Sequence, residues 1–305
     1  MPLQEIRVPL PEGVKMPDNR VNLIVPEDYW ARSDLAFPVI YLLHGAGDTY
    51  ASWAESTDVV ELASAFPVFV VMPDAGCRSR ATWYSDWVEG SWQAETYVAE
   101  VLPRYLAAHY RISPGPAAVA GLSMGGFGAM SLAARHPGRY VAAASFSGVL
   151  DTMWGAPGTG ELFARLNAEH GTPDPRVWGD QEGDAAAWRA HNPADLVEAL
   201  AGLELFVTSG TGTPGGPEGD VEDDGNGYAL EQGVRAMSEA FVAALETAGI
   251  PAQVDLYEGG YHGWPYWQAG IRWALPQMAV ILGPPVPDSS PASASASAPV
   301  GEGGA

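Results

Sequence analysis

Residues 117–135 read AAVAGLSMGGFGAMSLAAR. The opening apolar residues suit a strand buried on both faces, and the small and apolar residues from Met124 onward suit a helix. Between them Gly121-Leu122-Ser123-Met124-Gly125 is a G-x-S-x-G element, the elbow that holds a serine hydroxyl on a sharp, strained strand-to-helix turn. Side chains two residues before or after that serine would collide with the turning backbone, so glycine is expected at both places. A helix opening at Met124 aims unpaired N–H groups and its positive dipole end at Ser123, which favours an anion forming there. Such a position suits acyl transfer through a covalent serine intermediate.

Outward from the elbow, short apolar runs predict strands over 21–25, 39–43, 68–72, 117–120, 142–146, 205–208 and 253–257. Helical patterns fall between them, at about 57–65, 95–108, 124–135, 230–248 and 267–281. Strand and helix alternate, as in a mostly parallel, doubly wound α/β sheet. Residues 149–203 contain GELFARLNAEHG and DAAAWRAHNPADLVEAL, which predict helices inserted over the sheet edge. Residues 1–283 read as one catalytic domain, and the Pro-, Ala- and Ser-rich segment 284–305 reads as a disordered tail.

Composition narrows the function classes. Fifteen basic against 37 acidic side chains give a formal charge of −22, which disfavours nucleic acid and anionic lipid as partners. The single cysteine, Cys77, excludes an internal disulfide. The start MPLQEIRVPLPEGVK lacks the basic-then-apolar pattern of a secretory signal, and no apolar run approaches the roughly 20 residues of a membrane helix. A soluble, cytoplasmic chain is the expectation, or a secreted one if a leader was removed before this numbering. The oligomeric state stays open.

Ligands of open parallel sheets bind at the carboxyl ends of the strands, and each chemical candidate here follows a strand. His44-Gly45-Ala46-Gly47 follows VIYLL and has the form of a loop that contributes one N–H to an oxyanion hole. Ala46 N–H and Met124 N–H are the expected donors, with Gly45 letting the loop bend close to the serine. His44 reads as a holder of the loop rather than a base, and His44 and Gly45 are counted with the substrate-binding surface. Of the six histidines, His109, His136, His170 and His191 lie in or beside helical stretches and read as surface or helix-end residues. His262 sits in the glycine-flanked loop before the last helix, where an α/β-hydrolase places its base. The order Ser, acid, His separates that fold from other serine hydrolases. Glu218, Asp220, Glu222, Asp223, Asp224, Glu231, Glu239, Glu246, Asp255 and Glu258 all lie between Thr208 and His262, and spacing does not choose the acid among them.

YLLHGAGD, VVMPDAGCRSRATWYSDW, AVAGLSMGGFGAMSLAARHP, SFSGVLD, LFVTSGTGTP and HGWPYW together resemble the putative-esterase superfamily, which includes esterase D, S-formylglutathione hydrolases, feruloyl esterases and the antigen 85 mycolyltransferases. The similarity covers about residues 20–282 and is nearest to the antigen 85 branch. It implies an α/β-hydrolase fold with a helical insertion after its sixth strand, no cofactor, and a small-molecule ester as substrate. Ser123 and His262 match the branch's nucleophile and base. The Leu230-Glu231-Gln232-Gly233-Val234-Arg235 run matches the setting of its acid, so the resemblance selects Glu231, with Asp220 and Asp224 as rivals. The chain departs from the branch at Gly125-Gly126, where alanine usually opens the pair, and at Ser209, where a cysteine is usual. These departures favour hydrolysis of a simpler ester over acyl transfer to a sugar.

Two other readings compete. Asp220, Glu222, Asp224, Gly225 and Glu231 occupy positions 1, 3, 5, 6 and 12 of an EF-hand-like calcium loop, yet the preceding GTGTPGGPEG cannot form the entering helix, so no metal is expected. A non-catalytic binding protein on the same fold is the alternative from another class. Trp83, Trp87, Trp154, Trp264 and Trp267 fall near predicted strand ends, and Trp264, two residues from His262, is the expected substrate-pocket member. The expectation is a serine carboxylesterase with Ser123, His262 and Glu231 as its triad, with an acyltransferase as the runner-up.

Overall fold

Alternate side chains of the central strands go to opposite apolar layers. In the strand Val39–Leu43, Val39, Tyr41 and Leu43 join one layer while Ile40 and Leu42 join the other, and all five are buried. This two-sided burial is what the unbroken apolar runs of the sequence encode. The computed structural model describes residues 3–76, 81–153, 177–219 and 227–288.

The strands are β1 (Leu3–Arg7), β2 (Arg20–Ile24), β3 (Leu35–Ala36), β4 (Val39–Leu43), β5 (Phe69–Pro73), β6 (Ala117–Leu122), β7 (Tyr140–Phe146), β8 (Glu204–Ser209), β9 (Gln253–Leu256) and β10 (Val286–Pro287). Eight form one sheet in the order β1-β2-β5-β4-β6-β7-β8-β9. β1 and β2 pair antiparallel, and β2 is antiparallel to β5. From β5 across β4, β6, β7 and β8 to β9 every neighbour is parallel. The fold is that of an α/β-hydrolase. Each predicted strand is present with small shifts at its ends. β1 escapes the apolar-run criterion because it is a half-exposed edge strand whose burial alternates.

Met124, Phe127 and Met130 of the helix Met124–Arg135 enter the first layer, as do Val234, Met237, Phe241 and Leu245 of Gly227–Ala248. Trp267, Ile271, Leu275 and Met278 of the helix Trp264–Leu282 enter the second, the i, i+4, i+8, i+11 stripe of a helix lying on a sheet.

The insertion follows β7, the seventh strand in chain order. The stretch predicted as helical at 184–200 is broken. A short helix, Ala185–Arg189, is followed by 3₁₀ turns Pro193–Asp195 and Val197–Leu200. Pro193 forces Asn192 out of helical geometry, and the Asn192 side chain pins the corner by accepting from Thr152 N–H and donating to Asp151 and Asp195. GELFARLNAEHG lies outside the described residues. At the other end of the chain, β10 pairs with β3 and Asp288 N–H donates to Asp34 O, so the first residues of the segment read as a tail lie on the domain.

Candidate active site

β6 ends at Leu122 and the helix begins at Met124, so Ser123 alone makes the turn, with φ 52° and ψ −117°. A left-handed φ at a residue with a side chain costs on the order of 1–3 kcal/mol and persists only where surroundings impose it. Here Ser123 N–H donates to Phe146 O at 2.9 Å and Ser123 O accepts from Phe127 N–H at 3.0 Å. A Cβ at Gly121 would strike the backbone of Gly125, and one at Gly125 would strike the carbonyl ends of Leu43 and His44. Both glycines are thus required by close approach of backbone to backbone.

Glu231 lies one turn into the helix Gly227–Ala248 and is fully buried. Its Oε2 meets His262 Nδ1 at 2.8 Å. Its Oε1 accepts from Ser147 Oγ at 2.9 Å, Ser209 Oγ at 2.8 Å and Gly210 N–H at 2.8 Å. Burial pushes the Glu231 carboxyl up, but the His262 hydrogen bond and charge, with the Ser209 and Gly210 donors, outweigh it and hold the group below the usual carboxylate range. An ionised Glu231 fixes the proton of His262 on Nδ1 and leaves Nε2 as the acceptor. The histidine loop is stapled to the same helix one turn earlier, through His262 N–H donating to Gly227 O at 3.1 Å. Arg235, a further turn on, donates from Nη1 to Ser209 O at 3.2 Å and Tyr257 O at 3.0 Å, tying the ends of β8 and β9 together.

Ser123, Glu231 and His262 therefore gather at the carboxyl edge of the sheet. Among the described residues no hydrogen bond joins Ser123 Oγ to the imidazole. Asp220 and Asp224 lie outside the described residues, as does most of the calcium-like loop. Its twelfth position, Glu231, has both oxygens engaged as above.

His44 is buried, with Nδ1 2.8 Å from Gly45 O and Nε2 3.0 Å from Ala75 N–H. Both ring nitrogens are spent inside the protein, so His44 holds the loop and has no ring nitrogen left for a substrate. Gly45 is close to Ser123, since a Cβ there would lie 3.5 Å from Ser123 Cβ. Trp264 is half-buried, edge-on to Trp53 and to Trp267 at 5.4 and 5.2 Å, and Trp267 lies edge-on to His262 at 5.0 Å. Trp83 and Trp87 instead belong to the core: Trp83 packs on Phe127 and Trp178, and Trp87 Nε1 donates to Thr82 O. Trp154 and His170 lie outside the described residues. His136 and His191, read as surface residues, surround the buried Glu95.

Ser147 and Ser209 join the site as donors to Glu231, a role that a lone serine after a strand does not signal by its spacing. Ser147 also has a left-handed φ of 49°, held by its N–H donating to Thr208 O at 2.7 Å.

The family profile described as Putative esterase matches residues 16–278. This chain belongs to the esterase family. The chain is 31% identical over 277 residues to diacylglycerol acyltransferase/mycolyltransferase Ag85A of Mycobacterium gordonae, covering 86% of this chain and 78% of the relative. It is 30% identical over 262 residues to the Ag85B protein of Mycobacterium intracellulare, covering 81% and 76%. Its fold resembles Mycobacterium tuberculosis MPT51 (FbpC1), with TM-score 0.77, 24% identity and 92% and 99% of the two chains covered. An S-formylglutathione hydrolase from Agrobacterium tumefaciens follows at TM-score 0.71 and 22% identity, over 92% and 95%. At the family level the chain is an enzyme acting on ester or acyl substrates, by hydrolysis or acyl transfer. Among the described residues no helix is long and apolar enough to cross a membrane.

Proposed function

We propose that the enzyme is a serine carboxylesterase that hydrolyses small-molecule esters through an acyl-enzyme on Ser123. The observation that carries this reading is the buried Glu231–His262 pair, 2.8 Å apart, at the sheet edge where Ser123 occupies a strained elbow. His262 Nε2 takes the Ser123 proton as Oγ attacks the ester carbonyl, and Glu231 stabilises the imidazolium that forms. Ala46 N–H and Met124 N–H hold the tetrahedral oxyanion. His262 then protonates the departing alcohol, and a water activated by the same imidazole releases the acid. His44 acts here as a positioning residue, and Trp264 lines the substrate side of the histidine.

Acyl transfer is the second reading, favoured by the 30–31% identity to proteins named diacylglycerol acyltransferase/mycolyltransferase. In that case an alcohol replaces water in the second half-reaction. A panel of p-nitrophenyl esters of graded chain length, with and without added alcohol acceptors, separates the two. Hydrolysis predicts acid as the product at all acceptor concentrations, whereas transfer predicts a new ester and faster turnover as acceptor is added. Ser123→Ala should lower kcat about 10⁴- to 10⁶-fold and abolish labelling by a fluorophosphonate, with the fold retained. An unlabelled wild-type protein without ester turnover would overturn the proposal.

A further inference from the structure

Two consecutive peptide planes of the loop after β4 are fixed by named partners. His44 O accepts from Tyr84 OH at 2.9 Å, and Gly45 N–H donates to Asp48 Oδ2 at 3.2 Å. In the next plane, Gly45 O accepts from Asp48 N–H at 3.3 Å and lies 2.8 Å from His44 Nδ1. Because His44 Nε2 accepts from Ala75 N–H, the ring proton sits on Nδ1 and points at that carbonyl. In a trans peptide the C=O and N–H point in opposite directions, so holding Gly45 O fixes the direction of Ala46 N–H. Among the described residues that N–H has no acceptor. Of the four polar groups in the two planes, it is the one left for a substrate.

Tyr84 is well placed to brace this loop. It is buried, and it follows Trp83 in a corner where both residues have left-handed φ, 56° and 47°. Such a corner is costly and is held by Ser85 Oγ donating to Trp83 O and Trp87 Nε1 donating to Thr82 O, both at 2.9 Å. The Tyr84 side chain packs directly against the helix Met124–Arg135, since a Cβ at Gly128 would lie 2.5 Å from Tyr84 Cδ2. One side chain thus touches both the helix that begins at Met124 and the carbonyl two residues before Ala46.

We propose that Tyr84 is a positioning residue of the oxyanion hole, its phenol holding the His44 peptide at a fixed height above the nucleophile helix so that the Ala46 and Met124 N–H groups converge. The role rests on the serine esterase reading above. Oxyanion donors act through preorganisation, so a loop that can tilt loses transition-state stabilisation while ground-state binding is little changed.

Tyr84→Phe keeps the ring and removes the one hydroxyl. With p-nitrophenyl butyrate, kcat should fall about 10- to 50-fold with KM within about twofold of wild type. Affinity for a trifluoromethyl ketone analogue of the tetrahedral intermediate should fall by the same factor as kcat. Gly128→Ala, which pushes on the ring from the helix side, should also lower kcat, although alanine is the better helix former. A role in stability alone would lower the melting temperature of Tyr84→Phe and leave kcat and analogue affinity within twofold, and that result overturns the proposal. A wild-type protein inert toward esters and fluorophosphonate would overturn the esterase reading itself, an outcome visible before any variant is made.

Discussion

Among the described residues two buried glutamates each meet a histidine, at opposite ends of the sheet. At the carboxyl edge Glu231 meets His262, and its other donors, Ser147, Ser209 and Gly210, are all neutral. At the strand-start end Glu95 accepts from Arg135 Nε at 2.9 Å and His136 Nε2 at 3.0 Å, with His191 Nε2 3.7 Å away. Burial acts to raise both carboxyls, and in both the partners win and hold the group below its ordinary range. The difference lies in what is already neutralised. Arg135 gives Glu95 a permanent cation as a partner. The carboxylate of Glu231 has no arginine hydrogen-bonded to it among the described residues, and the donors beside His262 are neutral. The geometry differs as well: Glu231 takes Nδ1 of His262, which on the proposed reading leaves Nε2 as the base, whereas Glu95 takes Nε2 of His136. On the proposed reading, which nitrogen the glutamate leaves free and whether another cation reaches the carboxylate separate the catalytic pair from the structural one.

The sharpest way to break this comparison is the matched pair of amide substitutions. Glu231→Gln should lower kcat roughly 10²- to 10⁴-fold, because an amide neither fixes the tautomer nor stabilises the imidazolium. Glu95→Gln should leave kcat within about threefold and instead cost stability on the order of 3 kcal/mol, since Arg135 loses its buried partner. Steady-state kinetics and denaturant unfolding of both variants check this. Equal kinetic losses would mean that the two pairs are not distinguished as argued.

A smaller effect is expected at Arg235, whose Nη1 ties Ser209 O to Tyr257 O. Arg235→Met keeps much of the packing and removes both bonds, so the strand ends that carry the Glu231 donors and the histidine loop can drift apart. A fall in kcat of about tenfold, with KM little changed, is the expected outcome. An unchanged kcat would show that Ser147 and Gly227 suffice to hold the pair.

The smallest effect concerns acid stability. Both glutamates have depressed values in the folded state, so each contributes stability that is full above the unfolded value of about 4.3 and is lost as pH falls through the folded value. Melting temperature followed from about pH 6 down to about pH 2.5 should therefore drop steeply for wild type. Glu231→Gln and Glu95→Gln should each flatten part of that slope, and a wild-type slope retained in both variants would contradict the assigned shifts.

The central sheet was legible because its strands are buried on both faces and therefore appear as unbroken apolar runs. The edge strand β1 and the two-residue β3 and β10 were not, for each buries too little to leave such a run. Helix Met124–Arg135 was read to its ends because the elbow glycines mark its start. In the 184–200 stretch Pro193 marks the break in the sequence itself, while the corner it makes is pinned by the Asn192 side chain reaching Asp151 and Thr152, some forty residues earlier.

At the site, the sequence alone determined the elbow. Its glycines, serine and helix start are contiguous, and the steric reason for each lies within a few residues or in the strand end they touch. It also placed His262 after the last parallel strand. What the tertiary structure decided is which of ten carboxylates meets that histidine, and why His44 is a brace while His262 is not. Those answers depend on donors from β7, β8 and the β5 end converging on atoms of other segments. Spacing along the chain carries no record of hydrogen bonds made between strands, or of which ring nitrogen they leave free.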